Sequence, residues 1–177
     1  PSILKNASMD WDGGYTMAGL IGHGDAFVLR DPNGIRPAFW YEDDEVLVVT
    51  SERPVIQTAF NVKWENVNEL KPGHALIVKK DFELKEVEIN SPSNLQKCSF
   101  ERIYFSRGTD KDIYKERLML GSLVTPQVLE AVNFDLKRTV FSFIPNTAEM
   151  SYYGMIKATE DYLSGVKKKK IQELEQN

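Results

Sequence analysis

Apolar and polar positions follow a short strand-like rhythm through the first half of the chain and a helical one through the second. Tyr15 to Ile21 mixes small and apolar residues and predicts a buried strand. Ala26 to Arg30 predicts another. Asp31-Pro32-Asn33-Gly34 follows: proline fixes an early turn φ, and glycine takes positive φ at no steric cost. The string predicts a hairpin whose returning strand is Ile35 to Tyr41. Glu42 to Glu45 is an acidic, solvated turn, and Val46 to Thr50 is a further apolar strand. Ser51 as N-cap with Pro54 in the first turn predicts a short helix. After a turn at Glu69 to Gly73, Ala75 to Val78 and Leu84 to Ile89 pair around Lys80-Asp81. Asn90 to Lys97 reads as a linker at a domain boundary, and Phe100 to Phe105 as one more strand. Short strands spaced by turns point to antiparallel sheet.

The period then changes. Lys111 to Val132 is helical, with Pro126 dividing it into two short helices. Arg138 to Ile144 is an apolar strand ending at Pro145. Ala148 to about Glu175 is a long helix, with Gly165 the place for a break. Strand, tight loop and helix open an α/β unit. The expected class is therefore α+β, an antiparallel β-layer region followed by the start of an α/β region.

Composition narrows the function. Hydrophobic residues make up 42% and charged residues 27% of 177, which excludes a disordered chain. The net charge of -4 gives no basic field for a nucleic acid. The run Lys167-Lys168-Lys169-Lys170 reads as a solvated helix face. No apolar stretch approaches a membrane span, and no signal peptide opens the chain, so a cytoplasmic location is expected. Pro1 in place of an initiator methionine points to a piece of something longer.

The catalytic inventory is thin. His23 and His74 both sit at turns. Gly19-Leu20-Ile21-Gly22-His23-Gly24 lacks the Gly-Lys-Ser/Thr ending of a phosphate loop and reads as a hairpin connection. Cys98, the single cysteine, makes no internal disulfide and alone holds no metal. It becomes an iron–sulfur ligand only with cysteines from elsewhere. Arg30 and Arg36 bracket the Asp31-Pro32-Asn33-Gly34 turn. They serve either to clamp an anion or, as spacing favours, to fix the turn.

Arg30-Asp31-Pro32-Asn33-Gly34-Ile35-Arg36-Pro37 resembles the hairpin motif of the class II glutamine amidotransferases. Thr50-Ser51-Glu52, Leu70-Lys71-Pro72-Gly73 and Cys98-Ser99-Phe100-Glu101-Arg102-Ile103-Tyr104-Phe105-Ser106-Arg107 resemble later segments of one branch, the amidophosphoribosyltransferases, over about Gly13 to Gly154. The resemblance implies two regions. Residues 1–97 would be part of an Ntn-hydrolase glutaminase domain, the C-terminal half of its antiparallel layers. Residues 98–177 would end that domain and carry connecting helices and the first strand and helix of a phosphoribosyltransferase domain.

It also implies a parent reaction: glutamine, phosphoribosylpyrophosphate and water give 5-phosphoribosylamine, glutamate and pyrophosphate, the first committed step of purine synthesis. The family's catalytic cysteine and pyrophosphate loop have no counterpart here, so no catalytic residue is expected in this piece and it should be inactive alone. Tyr104 matches an ammonia-channel tyrosine. Arg107 follows in the same segment, and Pro145, Asn146 and Thr147 match the loop after the first transferase strand. For the parent, magnesium and a homo-oligomer are expected. The departures at Gly108 and Asn146 keep open another reading, an inactive Ntn-like binding or regulatory module. A relative such as asparagine synthetase shares the Arg-Asp-Pro-x-Gly hairpin, but the Phe100-to-Arg107 segment argues against it.

Overall fold

Successive strand residues face opposite sides of a sheet, and that alternation organises the first hundred positions. The computed structural model describes residues 1–176. They fall into two units, Pro1–Ser106 and the residues from Arg107 onward.

The first unit holds helices α1 (Ser2–Ser8) and α2 (Arg53–Phe60) and seven strands: β1 (Thr16–Leu20), β2 (Ala26–Arg30), β3 (Phe39–Glu42), β4 (Leu47–Thr50), β5 (Asn68–Glu69), β6 (His74–Val78) and β7 (Leu84–Glu88). They make two antiparallel sheets, ordered β1-β2-β6-β7 and β4-β3-β5. Buried Leu76, with Val28 and Leu84, meets Trp40 and Val49 of the second sheet around Ala38 and Leu70. The opposite parity, Leu29, Ala75 and Ile89, packs with Leu4 of α1. On the far side of the second sheet, Arg53 of α2 lies over the Phe39 ring at 5.3 Å and the Trp64 ring at 5.6 Å. The unit is thus layered helix, sheet, sheet, helix.

Several expectations change. β1 lies at a sheet edge and is largely exposed rather than buried. The segment after Gly34 does not return beside β2. It crosses to the other sheet, because β2 is already flanked by β1 and β6. The cap of α2 is Glu52, one residue beyond Ser51. Residues 90–98 are not a free linker: the N–H groups of Ser93, Gln96 and Cys98 donate to the carbonyls of Pro32, Asn33 and Ile35. Glu101–Phe105 is a π-helical turn, not a strand. The hairpins β1–β2 and β6–β7 form as expected.

In the second unit α3 (Lys111–Ala131) and α4 (Glu149–Glu175) pack together. Asp110 caps α3, its Oδ1 accepting from the N–H groups of Asp112 and Ile113. Pro126 does not split α3, and Gly165 does not break α4. A proline inside a helix costs roughly 3 kcal/mol. Close packing offsets it here: a Cβ on Gly121 would lie 1.8 Å from the Ser151 carbonyl oxygen, and one on Gly154 2.0 Å from that of Leu118. Residues 138–144 form no strand. Val140 is 92% and Ile144 84% exposed. An extended segment becomes a strand only beside a partner, and none of the described strands pairs with it.

Candidate functional site

Arg30 ends β2 fully buried, so its guanidinium must find its partners inside the protein. Nε donates to the Arg36 carbonyl at 2.7 Å and Nη2 to that of Gly34 at 3.2 Å. Nη1 serves Glu69 Oε1 at 3.0 Å and the Leu70 carbonyl. Asp31 is buried beside it. Its Oδ1 accepts from the N–H groups of Asn33 and Ile35, and its Oδ2 from that of Arg36. The Asp31 carbonyl receives the N–H groups of Gly34 and Gly73. Gly34 takes φ of 61°, as the turn requires. Every one of these polar groups is spent on the chain itself. The motif of Arg30, Asp31, Pro32, Gly34 and Arg36 is a structural knot rather than an anion clamp.

The knot carries the next segment. Besides the three strap bonds from residues 93–98, Lys97 Nζ lies 3.9 Å from Glu69 Oε2. The π-helical turn follows at once. Glu101 points inward and forms an ion pair with Arg36. Phe100, Ile103, Tyr104 and Phe105 point outward and are exposed. The Tyr104 and Phe105 rings meet edge to face at 5.2 Å. The result is an apolar wall held from behind by a charge pair.

In the second unit, Arg107 is exposed, and its carbonyl accepts the Asp110 N–H at the start of α3. Pro145 and Asn146 are exposed and Thr147 is half-buried in the turn entering α4. The Asn146 carbonyl accepts the Glu149 N–H at 3.2 Å. Beside this turn an open, mainly apolar cavity of about 430 Å³ lies between α3 and α4, lined by Val124, Phe143, Ala148, Ser151 and Tyr152 among others. Among the described residues, no three His, Cys, Asp or Glu side chains converge as a metal site. Cys98 is half-buried with a free thiol.

No sequence-family model matches the chain. Curated relatives do. The amidophosphoribosyltransferase of Lachancea kluyveri is 32% identical over 147 residues, 77% of this chain and 28% of the relative. That of Pasteurella multocida is 33% identical over 129 residues, 68% of this chain and 25% of the relative. The chain is a homologue of part of the amidophosphoribosyltransferases. It spans about a quarter of the length of these relatives. The glutamine phosphoribosylpyrophosphate amidotransferase of B. subtilis, solved with ADP and GMP, superposes with a TM-score of 0.65. It is 24% identical, and the match covers 88% of this chain and 33% of that one. The allosteric regulatory enzyme of purine biosynthesis gives a TM-score of 0.64 at 25% identity over 87% of this chain.

Homology to the amidophosphoribosyltransferases accounts for the motifs in their order. Sequence reasoning assigned no role to Glu101 of the Cys98–Arg107 segment. An acidic residue inside Phe100-Glu101-Arg102-Ile103-Tyr104-Phe105 was the available signal. A lone carboxylate in an apolar run needs a counter-charge, and Arg36 supplies it.

Proposed function

We propose that the chain is an internal segment of an amidophosphoribosyltransferase. It would supply the rear half of an Ntn-type glutaminase domain and the opening of the phosphoribosyltransferase domain. The observation that carries this reading is the sequence match to the family across 77% of the chain. The helix-sheet-sheet-helix layering of the first unit supports the Ntn part.

In this reading the two half-reactions use groups contributed by other parts of the parent. Glutamine and water give glutamate and ammonia; ammonia then displaces pyrophosphate from phosphoribosylpyrophosphate. This segment's own contribution is positional. Tyr104 would form part of the wall along which ammonia passes. Arg107 and the turn Pro145, Asn146 and Thr147 would stand near the nucleotide and phosphate region. In the parent, magnesium would arrive on the pyrophosphate of the substrate. One cysteine does not hold an iron–sulfur cluster. No described helix is long and apolar enough to cross a membrane; we place the parent in the cytoplasm as a homo-oligomer.

Pyrophosphate release from phosphoribosylpyrophosphate by the full-length protein, with glutamine, with ammonium and with neither, tests the assignment. Release dependent on glutamine or ammonium supports it. No release under any condition favours the inactive Ntn-like module, with Gly108 and Asn146 as the altered positions to revert first.

A further inference from the structure

The two motifs that define this chain meet at one charge pair. Arg36 closes the Asp31 knot, and Glu101 opens the π-helical turn. The Glu101 side chain is only 9% exposed, so its carboxylate depends on the arginine for compensation. Arg36 is held in turn: its N–H donates to Asp31 Oδ2 and its carbonyl accepts from Arg30 Nε. The backbone continues the same join, with the Cys98 N–H on the Ile35 carbonyl and the Arg102 N–H on that of Cys98. Five-residue π-helical turns are uncommon and recur at functional positions. This one turns its carboxylate inward and Ile103, Tyr104 and Phe105 outward.

We propose that the Arg36–Glu101 ion pair is a latch that sets the orientation of the aromatic turn, so that Tyr104 and its neighbours form a water-excluding wall between the two half-reactions. The proposal rests on the amidotransferase reading above. Ammonia released behind such a wall reaches the second site; ammonia released behind a loose one escapes to solvent. Arg36 and Glu101 are positioning residues: they act through the turn and touch no reacting atom.

The test uses the full-length protein with Arg36→Met, Glu101→Gln and the charge exchange Arg36→Glu with Glu101→Arg. The readouts are glutamate formed per pyrophosphate released, pyrophosphate release driven by ammonium, and the rate of tryptic cleavage after Arg102. In each single variant we expect glutamate per pyrophosphate to rise about fivefold or more. Ammonium-driven release should stay at the parent level, and cleavage should quicken about tenfold. The charge exchange, which adds a second trypsin site beside Arg102, is read by the ratio alone and should move it back toward the parent. Glu101→Gln keeps the shape of the side chain and carries the test if Arg36→Met does not fold. An unchanged ratio in a folded Glu101→Gln protein overturns the proposal, as does a rise in both single variants that the exchange leaves uncorrected. If the unaltered protein releases no pyrophosphate with glutamine, the functional reading fails and the role in ammonia transfer fails with it. The cleavage rates then still decide whether the latch exists.

Discussion

At the scale of single residues, the buried charges decide most. Asp31, itself fully buried, serves three backbone donors through part-buried hydrogen bonds. Asp31→Ala leaves them unpaired, and an unpaired buried group costs roughly 1–3 kcal/mol. We expect a loss of about 3 kcal/mol in all, read as a lower urea midpoint at constant slope; a shift too small to resolve would show that the knot does not hold the turn. Asp25 behaves differently. Lys79 Nζ at 2.5 Å, then His23 Nε2 at 3.1 Å, hold its carboxyl well below the usual carboxylate range. A folded carboxyl that ionises at lower pH than the unfolded one adds stability above the unfolded value, about 3.9, and that stability fades as pH falls toward the folded value. The contact ties the β1–β2 turn to the start of the β6–β7 turn. Asp25→Asn should therefore flatten the fall in melting temperature between about pH 4 and pH 2. A parallel fall in parent and variant would show that the tie does not contribute.

At the scale of elements, the close crossing of α3 and α4 gives the sharpest contrast. Gly121 and Gly154 each face a backbone carbonyl within reach of any added Cβ, while Gly165 faces open space. Gly121→Ala or Gly154→Ala should destabilise the helix pair by about 1–3 kcal/mol through overpacking. Gly165→Ala should stabilise α4 by about 0.5–1 kcal/mol, the ordinary gain of alanine over glycine in a helix. Thermal unfolding of the three variants side by side separates the two mechanisms, and a loss at Gly165 equal to the others would contradict the packing explanation.

The elements also show what the sequence could carry. β2, β4, β6, β7 and α4 were legible because their signals are local: an apolar run, a turn, a helical period. The destination of the segment after Gly34 was not, because Asp31-Pro32-Asn33-Gly34 specifies a turn but not which sheet receives the chain. Phe100–Phe105 has the composition of a strand and folds as a π-helical turn, its Glu101 drawn inward to Arg36. Pro126 was a sound breaker signal overridden by tertiary packing. The motif residues at Arg30 and Asp31 were found from the string, and their role followed only once their hydrogen-bond partners were in view.

At the scale of the whole molecule, the first unit leaves apolar surface open. An apolar cavity of about 430 Å³ lies between the sheets, walled by Ala18, Leu20, Phe27, Leu47, Val49 and Val78 among others. It is flanked by β1 and β4, edge strands that carry no charged residue. Edges of that kind recruit further strands. The chain expressed alone should associate with rising concentration, and Leu20→Lys, at a side chain now 88% exposed, should reduce it. Light scattering across a concentration series checks this. A monomer at every concentration would mean the edges are better protected than their composition indicates.

The knot at Arg30 and Asp31 has a consequence for descent. Its side chains answer to the backbone around them, so what they preserve is a way of folding. A lineage that abandoned the reaction but kept the scaffold would be under the same pressure to retain this string as one that still performs it. Arg30-Asp31-Pro32-Asn33-Gly34-Ile35-Arg36-Pro37 therefore marks ancestry, and carries no news of whether the inherited chemistry survives.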